Sequence, residues 1–345
     1  MQDTAQDFKP FLQQVSDGRP LSAEQAGEAF ALMMAGSVPE TQIAGFLMAL
    51  RARGETVDEI AGAATAMRER MKRVSAPADA IDIVGTGGDA KGTHNVSTCT
   101  AFVVAGAGVP VAKHGNRAVS SRSGAADVLE HLGVGMDVPP EDLERALSDA
   151  RVGFMFAPAH HAAMRHVAPA RKALGVRTIF NVLGPLCNPA GVSRLLIGVY
   201  APEMTRPLAE VLARLGAERA WVVHGHDGLD ELSTTGESMV AELKDGRVNE
   251  FTVSPEEAGL ARARLSDLIG GDAAANAEAI RETLAGAPGP LRDVILLNAA
   301  AALIVAGKAE TLREGAEQAA QAIDSGAGAA ALEKLAAICG ARANA

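Results

Sequence analysis

The residues with the clearest chemical potential stand in a glycine-rich loop, Gly85-Thr86-Gly87-Gly88-Asp89. The loop directly follows Ile81-Asp82-Ile83-Val84, an apolar, β-branched run with the pattern of a buried strand. Glycines allow φ > 0 and close approach of a ligand, and successive N–H groups in such a loop can surround an anion. A plain tight turn has the same composition. The loop matches neither the dinucleotide-binding fingerprint, which needs glycine where Ala90 stands, nor the P-loop, which needs a following Gly-Lys-Ser/Thr.

A polar segment, Lys91 to Thr98, links this loop to an apolar helical run over 101–107. It supplies hydroxyl and amide groups where a helix is expected to begin. A helix N-terminus adds unpaired N–H donors and a dipole that favours anions. Strand, glycine loop, hydroxyl cluster and helix together suit a ligand with more than one phosphate.

A second polar loop, residues 113–124, follows a candidate strand over 109–113. It contains three cations, a histidine, an amide and three hydroxyls. A solvated loop could share this composition, but this density of donors is also what an oxygen-rich ligand needs. Its position one βαβ unit after the glycine loop predicts that both lie at one sheet edge.

Carboxylates cluster after the candidate strand over 219–224, at Asp227, Asp230 and Glu231. Acidic turns are common on protein surfaces, but hard oxygen ligands at a strand end suit Mg²⁺, which bridges to substrate phosphates. The nearby His224 and His226 do not indicate zinc, because no third soft ligand accompanies them.

Arg171 lies in a basic stretch and is a candidate for gripping a carboxylate in bidentate fashion, although such a helix could simply be solvated. The rigid segment over 181–189 has two prolines and two asparagines, and a structural turn would explain most of it. Neither G-x-S-x-G nor H-E-x-x-H occurs, and nothing indicates a covalent nucleophile. The pattern therefore favours transfer chemistry driven by positioning and charge stabilisation.

The elements that must position these residues alternate from residue 80 onward. Candidate strands are 81–84, 109–113, 152–156, 194–200 and 219–224, and candidate helices are 97–107, 124–132, 140–149, 203–215, 291–307 and 309–338. Alternation of this kind predicts βαβ units and a mainly parallel sheet, with ligands at the carboxyl ends of the strands.

Residues 1–73 are predicted to form a separate small helical domain. Three capping-box patterns start at Ser22, Ser37 and Thr56, and Gly36 and Gly54 stand where helices need a left-handed residue. Residues 74–345 form the predicted large α/β domain. The proline-containing segment 158–190 interrupts the alternation and is expected to return in part to the helical domain.

The composition also argues against several classes of function. The chain has 345 residues, a formal net charge of −10 and only 3% aromatic residues, which argues against nonspecific nucleic-acid binding. Three distant cysteines, Cys99, Cys187 and Cys339, support no disulfide framework. With no apolar signal segment and no run long enough to span a bilayer, we expect a cytoplasmic protein without membrane contact.

The motifs over 85–89, 95–98, 113–121, 184–189 and 230–231 resemble those of the anthranilate phosphoribosyltransferase family. The resemblance runs over essentially the whole chain, to about residue 338. It implies a nucleoside phosphorylase-like (class III phosphoribosyltransferase) fold, in which a small helical domain and a large α/β domain bind phosphoribosyl pyrophosphate (PRPP) between them. It also implies a homodimer, the second step of tryptophan biosynthesis and, as a possible partner, the anthranilate synthase subunits.

Site residues are implied motif by motif. PRPP would be held by Gly85, Gly88, Asp89, Thr93, Asn95, Val96, Ser97, Thr98, Lys113, His114, Gly115, Asn116, Arg117, Ala118, Val119, Ser120 and Ser121. Anthranilate would contact Gly85, Asn116 and Arg171, with His114 close by, and Ser97, Asp230 and Glu231 would bind Mg²⁺, with two ions per subunit. No side chain is expected to act as acid, base or nucleophile, because an aromatic amine attacks neutral and loses its proton afterwards.

Two rival functions stay open from the sequence. A pyrimidine nucleoside phosphorylase would share the glycine loop but act on a nucleoside and phosphate. A non-catalytic paralogue that binds PRPP or nucleic acid would be expected to lack the acids at 230–231 or to have a basic surface, and this chain has both acids and a negative net charge.

Overall fold

The computed structural model describes residues 7–89, 91–118 and 122–340. Its helices are α1 Lys9–Ser16, α2 Ala23–Met34, α3 Glu40–Arg53, α4 Val57–Glu69, α5 Val96–Gly106, α6 Ala125–His131, α7 Pro140–Asp149, α8 Ala157–His160, α9 Ala168–Leu174, α10 Phe180–Leu186, α11 Thr205–Arg214, α12 Ala273–Leu284, α13 Pro290–Val305, α14 Leu312–Asp324 and α15 Ala327–Cys339. Its strands are β1 Ile81–Gly85, β2 Val111–Gly115, β3 Val152–Phe156, β4 Arg194–Gly198, β5 Arg219–Gly225, β6 Ser238–Lys244 and β7 Arg247–Val253.

The N-terminal helices α1–α4 begin and end largely as their capping residues predict. The boxes at Ser22 and Thr56 are confirmed, because each hydroxyl accepts from the third N–H of its helix. The box at Ser37 is wrong: α3 begins at Glu40 after Pro39, with no side-chain cap. Gly36 and Gly54 have φ of 77° and 90°, which suits glycine at a helix end.

A seven-stranded sheet forms the centre of the molecule, in the order β3-β2-β1-β4-β5-β6-β7. The five strands β1–β5 pair in parallel, whereas β6 and β7 add an antiparallel hairpin at one edge. The mainly parallel sheet of the α/β prediction is therefore confirmed. The hairpin was not among the predicted strands, although Asp245-Gly246, at φ of 53° and 73°, is a typical hairpin turn.

Helices cover both faces of this sheet. On one face, α5, α13 and their neighbours pack against the strands in an apolar core that contains Phe102, Leu196 and Leu297. The core on the other face contains α10 and α11 and continues without interruption into the N-terminal helices. Phe30 of α2 contacts Phe180 of α10 there, with ring centroids 5.5 Å apart.

The remaining helices refine the sequence prediction. The segment 158–190 contains α9 and α10, which pack on α3 and α4 respectively. The predicted helix over 309–338 divides into α14 and α15 at Gly326, where φ is +76°. Helix α12 was not predicted, although the Asp272 side chain caps it by accepting from Ala275 N at 2.9 Å. None of the helices in the described part of the chain combines the length and apolar composition that crossing a bilayer requires.

Candidate active site

The polar segments singled out from the sequence converge at the carboxyl ends of the parallel strands. The glycine loop follows β1, and the 113–118 segment spans the end of β2. The acidic loop, which contains Asp227, Asp230 and Glu231, follows β5. Strands β1 and β4 pair in register, with Gly85 opposite Gly198. This is the sheet edge at which α/β proteins collect their ligands.

The acidic loop packs directly on the ends of β1 and β4, and this explains why the last residue of each strand is glycine. A Cβ added to Gly85 would overlap the Asp230 carboxylate, and one added to Gly198 would overlap the Asp230 carbonyl. Gly87 then turns at φ +68° and donates its N–H to Asp230 Oδ2 at 2.7 Å. The glycine loop is therefore seated on a carboxylate at its base.

Ser97, Asp230 and Glu231 meet where α5 begins. The N–H of Ser97 donates to Glu231 Oε1 at 3.2 Å. Burial, and next the Asp89 carboxylate, raise the pKa of Asp230 to about 6. Burial and the adjacent Asp230 raise the pKa of Glu231 well above its usual range. Half-buried carboxylates that repel one another form a site that a further cation would stabilise.

The donor set fits Mg²⁺ rather than a softer metal. Two carboxylates and a hydroxyl are hard oxygen ligands, and Mg²⁺ commonly uses one or two carboxylates together with water and substrate phosphates. Across residues 7–89, 91–118 and 122–340, no three His, Cys, Asp or Glu side chains form a complete metal cage. Asp227 serves its own loop instead, since Oδ2 accepts from the hydroxyls of Ser233 and Thr235.

Lys113 is the buried cation of the site. Its Nζ donates to the carbonyl of Ile83 at 2.6 Å and to Ser97 Oγ at 3.2 Å. Burial lowers its pKa, and the charges of Asp82, Glu231 and Asp230 oppose that effect. The side chain thus places a positive charge beneath the glycine loop and beside the carboxylate pair.

Asp82 positions His114 and Asn188 through hydrogen bonds. This fully buried carboxylate accepts from the backbone N–H of His114 at 3.1 Å and from Asn188 Nδ2 at 2.7 Å. It therefore joins the end of β2 to Asn188. The turn expected over 184–189 forms only in part, because α10 continues to Leu186. His114 Nδ1 contacts the carbonyl of Gly184 at 3.1 Å, and its ring lies 5.1 Å from that of His161. Burial lowers the pKa of His114 to about 3, so the ring is neutral.

The segment 93–98 contributes mainly through its backbone and one amide. Asn95 Oδ1 accepts from Ser123 Oγ and Asn276 Nδ2, which fixes the start of α5. Val96 and Thr98 are buried in the first turn of that helix. Thr93 bridges to Ile269, which ties the segment to a later loop.

Arg117 is paired within its own loop. It forms a bidentate ion pair with Glu130, at 2.6 Å for both contacts, and a further contact with Asp127. Asp127 also accepts from the N–H groups of Ala118 and Gly124, which closes the loop back on α6. Gly115 and Asn116 lie at its start, whereas Val119, Ser120 and Ser121 lie outside the described residues.

Arg171 lies on α9, and its guanidinium stacks over the ring of Phe180 at 5.2 Å. Burial lowers its pKa. Within the described ranges, no carboxylate forms an ion pair with it. A half-buried cation of this kind is suited to an anionic ligand.

Three residues near the site received no role from the sequence. Asp82 could have been noticed, because a charged residue interrupts an otherwise apolar buried strand. Arg177 and Tyr200 gave no such signal. They meet over the glycine loop only in the folded chain, with the guanidinium 4.2 Å from the ring centroid.

The arrangement supplies charge and orientation for a ligand. It offers backbone donors, a buried cation, a carboxylate pair suited to Mg²⁺ and a separate arginine, all around one sheet edge. Such a site can bind a phosphorylated substrate and stabilise charge that develops as a group is transferred.

Comparisons with known proteins agree with this chemistry. Residues 9–71 match the helical bundle domain of a glycosyl transferase family, and residues 77–329 match its a/b domain. The chain is 59% identical over 332 residues to an anthranilate phosphoribosyltransferase of Rhizobium etli, covering 96% of this chain and 98% of that relative.

Solved structures of anthranilate phosphoribosyltransferases align with nearly the whole chain. The anthranilate phosphoribosyltransferase of Thermus thermophilus aligns with a TM-score of 0.91 and 46% identity, over 95% of this chain and 99% of that one. The Saccharomyces cerevisiae enzyme in complex with PRPP and Mg aligns with a TM-score of 0.88 and 31% identity, over 96% and 97% of the two chains. The yeast enzyme in complex with 4-fluoroanthranilate aligns with a TM-score of 0.87 and 29% identity, over 97% and 98%.

Proposed function

The chain belongs to the anthranilate phosphoribosyltransferase family, and from this premise we propose how its residues carry out the reaction. The chain transfers the phosphoribosyl group of PRPP to the amine of anthranilate, giving N-(5-phosphoribosyl)anthranilate and pyrophosphate. This is the second step of tryptophan biosynthesis. The observation that carries the assignment of the site is the seating of the glycine loop on Asp230, beside Glu231, Ser97 and Lys113.

PRPP binds at the glycine loop and the segments that follow β1 and β2. The loop would hold its phosphates through N–H groups other than those of Thr86 and Gly87, which donate to Gly198 and Asp230, and Lys113 supplies a positive charge from below. Asn95 and the first turn of α5 add polar donors at a helix N-terminus. The proposed PRPP residues are those that the resemblance implies. Val119, Ser120 and Ser121 stay predictions from the sequence.

Asp230, Glu231 and Ser97 hold Mg²⁺, with two ions per subunit. When bound, Mg²⁺ neutralises the negative charge that develops on the leaving pyrophosphate. Burial raises the pKa of both carboxylates, and a neighbouring carboxylate adds to the effect in each case, so bound positive charge would stabilise their ionised forms, which supports this role.

Anthranilate binds with its carboxylate on Arg171 and its ring near Gly85, Asn116 and His114. The neutral His114 adds no charge against the attacking amine. The amine lone pair forms a bond to C1 of the ribose, the C1–oxygen bond breaks, and its electron pair leaves with pyrophosphate. The configuration at C1 inverts, and the new ammonium loses its proton to solvent. Arg171 contributes by fixing the orientation of the amine.

Further features of the protein belong to the same proposal. Residues 1–73, with part of 158–190, form the small helical domain, and residues 74–345 form the large domain. We propose that the enzyme works as a cytoplasmic homodimer, and the anthranilate synthase subunits are the candidate partner that the resemblance implies. Packing of α9 and α10 on α3 and α4 supports the inclusion of the 158–190 segment in the small domain.

Anthranilate fluorescence tests the reaction. The signal should fall only when enzyme, PRPP and Mg²⁺ are all present, and each omission serves as a control. A constant signal with folded protein would contradict the assignment of anthranilate as acceptor. Release of free base from uridine or thymidine with phosphate would instead identify a nucleoside phosphorylase.

A further inference from the structure

Arg177 makes two specific contacts at the glycine loop although its side chain is exposed. It lies in the connection between α9 and α10. Its Nη2 donates to the carbonyl of Gly88, and its guanidinium stacks over the ring of Tyr200 at 4.2 Å. Holding an exposed arginine side chain in one position costs conformational entropy, so favourable contacts must offset that cost. The two contacts together therefore hold this side chain against the loop.

Tyr200 is itself fastened to the glycine loop. It follows β4, and its N–H donates to Thr86 Oγ1 at 3.1 Å, while the N–H of Thr86 donates to Gly198 at 2.9 Å. Arg177 consequently contacts one part of the loop at Gly88 and another through Tyr200. Gly88 has φ +79°, and a Cβ there would lie 3.3 Å from Arg177 Nε, so the arginine packs closely on the turn.

The helical segment, which comprises α1–α4, also contacts the connection between α9 and α10. Arg51, in the last turn of α3, donates from Nη1 to the carbonyl of Arg177 at 2.6 Å. The charge of Glu55, just beyond α3, also acts on Tyr200, where it adds to the effect of burial in raising the pKa of the phenol. A continuous path of contacts thus runs from α3 through Arg177 to Gly88.

The chemistry of the contact requires arginine. A guanidinium is planar, so it can stack on an aromatic ring and donate in its own plane at the same time. An ammonium on a flexible chain cannot make this pair of contacts in the same way. A simple need for positive charge at the loop would be met equally by lysine.

We propose that Arg177 is a positioning residue that couples α3 of the helical segment to the glycine loop and thereby sets the affinity for PRPP. The inference rests on the proposed role of the glycine loop in PRPP binding. Arg177 lies in the chain just after α9, so the helix that bears Arg171, the proposed anthranilate clamp, leads directly into the connection that contacts the PRPP loop.

Isothermal titration of PRPP with Mg²⁺, without anthranilate, measures the effect. We expect Arg177→Ala and Arg51→Ala each to weaken PRPP roughly three- to tenfold. The double variant should be no weaker than Arg177→Ala, because both residues act along one path. Arg177→Lys should behave like Arg177→Ala. Arg247→Ala removes a charge from β7, the strand at one edge of the sheet, and is the matched control that should leave PRPP affinity unchanged.

Hydrogen exchange of the loop without ligand separates positioning from a direct phosphate contact. If the inference is correct, amides of residues 86–89 exchange faster in Arg177→Ala and in Arg51→Ala. Unchanged exchange, full affinity in Arg177→Lys or full affinity in Arg51→Ala would overturn it.

A glycine variant distinguishes this failure from failure of the PRPP assignment. Gly87→Ala is strained at φ +68° and has no neighbour that its Cβ would touch, so it disturbs the loop without contacting Arg177. If Gly87→Ala weakens PRPP and the arginine variants do not, only the coupling is wrong. If Gly87→Ala also leaves the affinity unchanged, the glycine loop is not the PRPP site.

Discussion

At the scale of single residues, the site is built by burying charge in a small volume. Lys113 balances three carboxylates, and Asp82 accepts two hydrogen bonds that join β1 to β2 and to Asn188, which follows α10. Burying an ion is costly unless it is paired and hydrogen-bonded. The pairing leaves a surplus of negative charge at Asp230 and Glu231, so the site is prepared for a cation that arrives with the substrate.

Arg171 gives the first prediction at this scale. Arg171→Ala should raise the KM for anthranilate about ten- to hundredfold and affect the KM for PRPP far less, because it removes a charge-assisted contact to one substrate only. Steady-state kinetics with each substrate varied in turn measures the split. Lys172→Ala, an exposed cation on the same helix, is the control. Equal increases in both KM values would contradict the positioning role.

The carboxylates of Asp230 and Glu231 give the second prediction. Changing Asp230→Asn and Glu231→Gln together should lower Mg²⁺-dependent kcat/KM about 10²- to 10³-fold, the usual effect of losing transition-state charge stabilisation. The fold should persist, because the change removes mutual repulsion. Glu141→Gln with Asp149→Asn, two exposed acids on α7, makes the same change in charge away from the site and should leave activity intact. Undiminished activity in the site variant would place the metal elsewhere.

His114 predicts a pH dependence of stability. Its pKa is about 3 in the folded chain, against 6.5 for a free imidazole, so the unfolded chain binds the proton first as the pH falls. The stabilising contribution is therefore complete above pH 6.5 and is lost progressively toward pH 3. For this one group the loss between pH 7.5 and 5.5 is about 1.4 kcal/mol.

The difference between wild type and His114→Asn isolates that contribution. Asparagine keeps a donor for the Gly184 carbonyl but has no proton to gain. Urea unfolding of both proteins at the two pH values should show wild type losing about 1.4 kcal/mol more on acidification. A pH-independent difference would mean that the ring titrates in the native state as it does in the unfolded chain, and a wild type that gains stability on acidification would mean that the ring is charged in the native state.

At the scale of elements, close helix crossings depend on single glycines. Gly62 of α4 faces α2, and a Cβ there would overlap the carbonyl of Ala23. Gly62→Ala should therefore lower the free energy of unfolding by roughly 1–3 kcal/mol, since overpacking outweighs the better helix propensity of alanine. Gly45→Ala, at an exposed position of α3, meets only Leu12 at 3.7 Å and should be neutral or slightly stabilising. Denaturant curves of the two variants make the comparison, and equal effects would refute the crossing argument.

The same scale shows what could be predicted from the sequence. Strands that end in glycine or polar loops were identifiable because apolar runs and turn residues are local signals, as at 81–85 and 152–156. The Ser37 box failed because Pro39 occupies the position before α3. The β6–β7 hairpin does have a local signal, the turn dipeptide Asp245-Gly246.

Other features have no local signal at all. Arg177 and Gly88 are 89 positions apart, and nothing near either residue indicates that they touch. The pairing of Arg117 with Glu130 likewise depends on how the loop closes on α6. Residue types predict which groups can bind an anion, whereas the packing of distant elements decides which of them stay available.

At the scale of the whole molecule, two family segments share one core. Residues 9–71 and 77–329 match separate domain descriptions, yet the apolar cluster on one sheet face includes Phe30 and Phe46 of the helical segment together with Leu195 and Ile197 of β4. Because the helical segment buries its apolar face against this shared core, we expect it to unfold together with the sheet rather than alone.

Phe30→Ala tests this cooperativity. Phe30 is fully buried and contacts Phe46 and Phe180, so truncation should cost about 3–5 kcal/mol. Trp221, the only tryptophan, stands on β5 and reports on the sheet through its fluorescence. At fixed protein concentration, the Trp221 transition should shift to lower denaturant by the same amount as the transition in helical circular dichroism. A Trp221 transition that stays at the wild-type midpoint while helical signal is lost earlier would show that the two segments unfold independently.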